Sequence, residues 1–277
     1  MRNSRDEALV IEAGKTGLHY FRDIWSYREL FAFLAWRDIL VHYKQTFIGI
    51  GWAVIRPLLT MVVFTLIFGR LANLPSGGVP YSALVFTGLL PWLLFANAFP
   101  AAGESLISSR SVISKIYFPR LIVPLSSVVV SLLDFSIGGI LLLAMLGAQG
   151  IAPDWRILAL PIVIIQLLAL TVGAGLWIAA LNVKYRDVRH VVPFLTQLGL
   201  YISPVGYSSA VVPESWRVLF SVNPMVGIID GFRWALLPGQ EGFPWMSYLM
   251  SSAVALTAVV SAVAFFRRTE RYLVDTI

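Results

Sequence analysis

Residues Tyr43–Phe64 read YKQTFIGIGWAVIRPLLTMVVF. Continued to Leu71, the run after Lys44 has the roughly 20 apolar residues a helix needs to cross a bilayer. Arg56 and Pro57 interrupt it. A guanidinium at the bilayer centre costs about 2.5–3.5 kcal/mol on insertion scales, and proline removes a backbone donor. Arg56 and Arg70 lie about 21 Å apart along a helix rising 1.5 Å per residue. Each can therefore snorkel toward opposite headgroups. Pro57 can bend the helix, and Gly49 and Gly51 loosen the chain before it. The stretch reads as a hinge where an interfacial segment turns into a first membrane span.

The rest of the chain agrees with a membrane location. Of 277 residues, 58% are apolar and 13% charged, and mean hydropathy is +0.78. A water-soluble fold of this length needs less apolar surface and more charge. Six windows are apolar enough to span: roughly Gly51–Leu71, Tyr81–Ala101, Leu121–Leu146, Ile157–Leu181, Val191–Val211 and Trp245–Phe266. Sixteen of the 21 lysines and arginines fall on one side of this arrangement, and that side is expected to be cytoplasmic. Both termini then lie inside. The first 20 residues lack an apolar signal core, so the first span is expected to direct insertion. The net charge of +6 belongs to this topological bias and does not point to nucleic acid. There is no cysteine, which excludes thiol chemistry and disulfides.

Three segments outside the spans carry amphipathic patterns. In RDIWSYRELFAFLAWRDILVHYK, Arg22–Lys44, Ile24, Tyr27, Phe31 and Leu34 make one apolar stripe, while Phe33, Trp36, Leu40 and Tyr43 make a second, offset one. This predicts a bent or two-part helix lying in the membrane interface, on the protein's own surface, or both. In ESLISSRSVISKIYFPR, Glu104–Arg120, Ser108 or Ser109 is placed to cap a short helix with Val112, Ile113 and Ile116 on one face; Arg110 and Lys115 lie on its rim. Between Pro213 and Gly239, Pro213 opens one short helix and Asn223-Pro224 caps a second. Neither is long enough to span, so the pair reads as re-entrant from the outer face.

Gly14-Lys15-Thr16 is not a phosphate-binding loop, because Leu9 stands where the motif requires glycine. His19, His42 and His190 are scattered, which gives no metal motif. Asp134, in SLLDFSIGG, is the one acid near the middle of a span. It should face protein or water, as a structural hydrogen-bond partner or as a proton relay.

In order, the chain presents YKQTFIGIGWAVIRPLL, a cytoplasmic segment ending YFPR, LLDFSIGG, GLWIAALNVKYRDVRHVVPFLTQLGLYISPVGY and NPMVGIIDGFRW. From about residue 22 onward, this order resembles the membrane subunit of type-2 ABC exporters of O-antigen, capsule polysaccharide and teichoic acid. The resemblance implies an all-α integral membrane protein of the bacterial inner membrane, with six transmembrane helices. Residues 22–277 form the transmembrane domain, preceded by a cytoplasmic tail over 1–21. Within that domain, 22–46 matches an interface or gate helix, 104–119 a coupling helix and 213–239 the outer gate helices. The family implies a homodimer joined to two copies of a separate ATPase that carries ATP and Mg. This chain needs no cofactor and is not itself an enzyme.

The implied site residues follow the same matches. Ser109, Arg110, Val112, Ile113, Lys115 and Ile116 would meet the ATPase. Trp216, Phe220, Asn223, Pro224, Asp230 and Arg233 belong to the outer gate. Trp52, Phe64, Phe68, Tyr201 and Tyr207 are candidate channel aromatics, since ring faces stack on sugars without fixing one register; lipid-facing or core packing is the competing role for each ring. Arg56, with Lys44 and Tyr43, is expected to meet the phosphate of a lipid-linked glycan at the entrance; topological anchoring is the competing role for Arg56. Two other functions stand beside polysaccharide export: a permease for a drug or small lipid, and a membrane-embedded transferase. The transferase needs clustered acids or histidines that the sequence lacks.

Overall fold

Apolar length decides the architecture. In the computed structural model, which describes residues 24–44, 51–116, 118–185, 187–239 and 242–276, five helical segments are long and apolar enough to cross a membrane. The described residues are almost entirely helical, with no strand among them. The tail over 1–21 and the ends of the interface segment at 22–23 and 45–46 lie outside the described residues.

Helix α1, Arg28–Lys44, follows a turn at Tyr27. It is one helix, and the break lies before it rather than midway, where the apolar stripe rotates. The two stripes instead serve two faces. Leu34 is buried with Leu106, Ile113 and Phe266, and Ile24, Tyr27 and Phe31 pack against that cluster. Phe33 and Trp36 on the second stripe stay exposed, at 64% and 60%. One face lies on the protein and the other presents aromatic surface outward.

Helix α2, Gly51–Phe64, continues as a π-helical segment over Thr65–Leu71. Pro57 is the one buried residue along the whole of it. Leu59, Val62, Val63, Leu66 and Ile67 all point outward. Helix α3, Tyr81–Ser108, is the opposite case: Ala83 to Trp92 is buried without interruption. Helices α5, Ile122–Ala148, and α6, Leu160–Lys184, pack on either side of α3. Between α3 and α5 lies the single-turn helix α4, Arg110–Ile113. Segment 104–119 is therefore not one helix; its first residues extend α3, since nothing in Ala101–Ser108 breaks the helical pattern.

Helix α10, Trp245–Thr276, packs along α6. The contact is close because Gly173 faces it: a Cβ there would stand 2.7 Å from the Val259 backbone nitrogen. Small residues at such crossings let two membrane helices approach.

The window Val191–Val211 folds differently from a full span. Helix α7, Val188–Ile202, has 15 residues, about 22 Å against a hydrocarbon thickness of about 30 Å. It ends because Pro204 forces Ser203 into extended backbone, with φ −98° and ψ 148°. Two short helices follow, α8 at Glu214–Ser221 and α9 at Pro224–Leu236. The Asn223 side chain accepts from the Met225 amide at 3.0 Å, and Pro224 occupies the first turn. Helix α9 is buried almost all round, while Trp216, Val218 and Leu219 of α8 are exposed.

Candidate functional site

A cavity of about 910 Å³ opens between α1, α2, α3 and α5. The chain places charge around it from four elements. Arg37, Asp38 and His42 come from α1, Arg56 from α2, Glu104 from α3 and Asp134 from α5. Asn97 on α3 and Ser127 and Ser131 on α5 add polar wall, and Trp52 and Pro57 add apolar surface. The cavity thus combines cations, carboxylates, hydroxyls and an aromatic face.

Inside it, some charges are already matched. Arg37 donates to Asp38 Oδ1 from Nη2 at 2.7 Å and from Nε at 2.9 Å. The Tyr43 hydroxyl donates to Asp134 Oδ1 at 2.5 Å, and His42 Nε2 stands 3.8 Å from Asp134 Oδ2. Burial, then the hydrogen bond to Asp134 and its charge, push the Tyr43 phenol above its ordinary pKa, so it remains a donor at neutral pH. The span-three acid is therefore a tie between α5 and the interface helix, facing a polar cavity rather than lipid. Among the described residues no carboxylate pairs with Arg56.

Of the expected entrance residues, Arg56 and Tyr43 line this cavity together; Lys44 is exposed at the end of α1 and does not. The expected channel aromatics separate. Trp52 lines the cavity, half exposed at 48%. Phe64 and Phe68 meet edge to face at 5.5 Å and close over the Gly206 backbone, where a Cβ would stand 2.8 Å from Phe68. Tyr201 projects outward at 61% exposure, and Tyr207 lies 6.4 Å from the Phe220 ring. Within one chain these rings form no single wall.

The coupling residues divide likewise. Ile113 is buried and Val112 packs against the same cluster, while Arg110, Lys115 and Ile116 face outward. Ser109 lines the floor of the cavity and makes no side-chain cap to α4.

The outer-gate residues form a second polar centre. Asn223 bridges two helices: besides capping α9, its Nδ2 donates to Ser203 Oγ at 2.9 Å and to Ile202 O at 3.3 Å, covering the end of α7. The Pro224 carbonyl accepts from Ser251 at 2.6 Å. Arg233, only 3% exposed, donates to the carbonyls of Tyr207 at 2.9 Å, Val205 at 3.2 Å and Leu84 at 3.3 Å. Asp230 Oδ1 lies 4.0 Å from it and accepts from Ser209 at 2.7 Å. One buried guanidinium therefore holds the non-helical turn after α7 against α3. Its bonds to Val205 and Tyr207 replace helical donors that the turn gives up, and its bond to Leu84 ties the turn to α3.

Arg37, His42 and Glu104 escaped the sequence reading as cavity residues, since each looked like one more charge in a basic or mixed segment. A small signal existed for His42, which precedes Tyr43 on the helix turn nearest span one.

A family model described as ABC-2 type transporter matches residues 29–237. Relatives include an O-antigen export system permease protein, RfbA, of Myxococcus xanthus, 31% identical over 87% of this chain and 93% of the relative. A Klebsiella pneumoniae protein of the same name is 28% identical over 80% of this chain and 86% of the relative. The polysialic acid transport protein KpsM of Escherichia coli is 21% identical over 87% and 93%.

Proposed function

The chain belongs to the ABC-2 type transporter family, and from that premise we propose that it is the transmembrane subunit of an exporter of lipid-linked polysaccharide. The cargo is of the O-antigen, capsule or teichoic-acid type, and the membrane is the bacterial inner membrane. The observation that carries this reading is the likeness to an O-antigen export permease and to a polysialic acid transport protein, each over 87% of the chain. ATP and Mg belong to a separate ATPase subunit, present in two copies on a homodimer of this chain.

The outward apolar face of α2 suits a second copy, with lipid covering what remains. In this arrangement α7 and the turn after it form the fifth crossing, both termini are cytoplasmic, and α8 and α9 lie at the outer face. Arg56 and Trp52 then stand at the cytoplasmic entrance. The Arg56 guanidinium binds the headgroup phosphate, and the ring stacks on the first sugars. The lipid tail stays in the bilayer while the glycan follows a wet path between subunits.

The outward edge of the segment after α3, Arg110, Lys115 and Ile116, docks on the ATPase. Arg110→Glu with Lys115→Glu is expected to lower co-purification of the ATPase several-fold and to abolish export, with membrane insertion unchanged. Cell fractionation and a pull-down on the tagged chain read both effects. Intact ATPase association together with normal export in the double variant contradicts the assignment of this edge.

A further inference from the structure

Asp134 is an acid in an apolar helix, and among the described residues the two side chains that reach it come from α1. Tyr43 donates to one carboxylate oxygen at 2.5 Å, and His42 Nε2 lies 3.8 Å from the other. All three line the cavity that also contains Arg56. A hydroxyl, an imidazole and a guanidinium lining one cavity form a set suited to an oxyanion. The hydroxyl is held by a carboxylate that the chain itself provides, while the imidazole stands beyond hydrogen-bond distance of it.

We infer that Asp134 is an internal competitor of the substrate's headgroup phosphate for the Tyr43 hydroxyl. The inference rests on the reading of this cavity as the entrance for a phosphate-headed lipid. Exchange of one anionic acceptor for another keeps the Tyr43 hydroxyl satisfied, so it is not left bare in a partly dehydrated site. It also places two anions in one cavity. The two anions repel, and more weakly as the carboxylate turns away. Asp134 thereby limits how tightly the headgroup is held, which suits a site that must pass its cargo on. It is a specificity-setting residue, and the tie to α1 loosens as the headgroup takes over the Tyr43 hydroxyl.

Asp134→Asn isolates the charge, because the amide oxygen still accepts from Tyr43. The test uses the full permease with its ATPase in nanodiscs and measures binding of a fluorescent isoprenoid diphosphate. The uncharged isoprenoid alcohol of equal length is the control. Asp134→Asn is expected to tighten diphosphate binding by about fivefold or more, with the alcohol unaffected. Tyr43→Phe leaves the carboxylate in place and removes a donor, so the diphosphate binds several-fold more weakly. Unchanged or weaker diphosphate binding in Asp134→Asn overturns the inference, as does unaltered binding in Tyr43→Phe. Failure of the parent complex to prefer the diphosphate over the alcohol removes the entrance reading itself. A preference abolished by Arg56→Gln but indifferent to Asp134→Asn leaves that reading intact and removes only the competition.

Discussion

Replacing Arg233 with methionine is expected to destabilise the protein by about 3–5 kcal/mol, the cost of breaking a buried charge pair by removing one partner. The guanidinium is 3% exposed and donates to the carbonyls of Leu84, Val205 and Tyr207. Methionine fills much of the volume but leaves those carbonyls short of a donor and Asp230 without its cation. A buried acceptor left unsatisfied costs about 1–3 kcal/mol by itself. Lysine does not substitute well, since an ammonium is a point donor while the guanidinium is a planar fork. Adding Asp230→Asn to Arg233→Met removes the orphaned charge, so the double variant should recover part of the loss. Unfolding of the detergent-solubilised protein reads the difference. A single variant within 1 kcal/mol of the parent contradicts the anchoring role.

Arg56→Gln is the second large effect. A hydrogen bond to a charged group is worth about 1.5–3 kcal/mol, and 1.4 kcal/mol is tenfold in affinity. Export at subsaturating substrate should therefore fall by about ten- to a hundredfold, mainly through KM, while the amount of inserted protein stays the same. Arg56→Lys should retain part of the activity by keeping the charge. The exposed site, without a carboxylate partner among the described residues, gives no reason for a large stability loss. If Arg56 serves only to anchor topology, the outcome reverses: insertion or orientation fails, and whatever inserts correctly exports normally.

Five of the six expected spans, the capped helix at Asn223-Pro224 and the family were legible in the sequence because each rests on local chemistry. Hydropathy needs only a window of neighbours, and a cap needs only four residues. The end of α7 was legible too: Ser203-Pro204 is a local stop, but the apolar run through Val205 masked it. The site was less so. Tyr43 and Asp134 are 91 positions apart, and nothing near either residue announces the other. Asp134 showed only that it needed a polar neighbour. Arg233 was counted as an outer-side charge because sequence shows a cation's position along the chain, not its depth. The three carbonyls it binds become visible only once the turn after α7 folds back on α3. Trp52 and Phe68 looked alike as aromatic residues of one span, yet Trp52 borders the cavity and Phe68 closes over Gly206.

The proposed function has this chain move a lipid-linked polysaccharide across the membrane at the expense of ATP bound by a partner subunit. The deciding experiment is transport by the co-purified complex in proteoliposomes, with ATP and lipid-linked polysaccharide supplied on the ATPase side. ATP-dependent appearance of the polysaccharide on the opposite face is expected, absent for free polysaccharide and for a complex whose ATPase cannot hydrolyse ATP. ATP hydrolysis with no polysaccharide crossing, or crossing that does not require ATP, would contradict it.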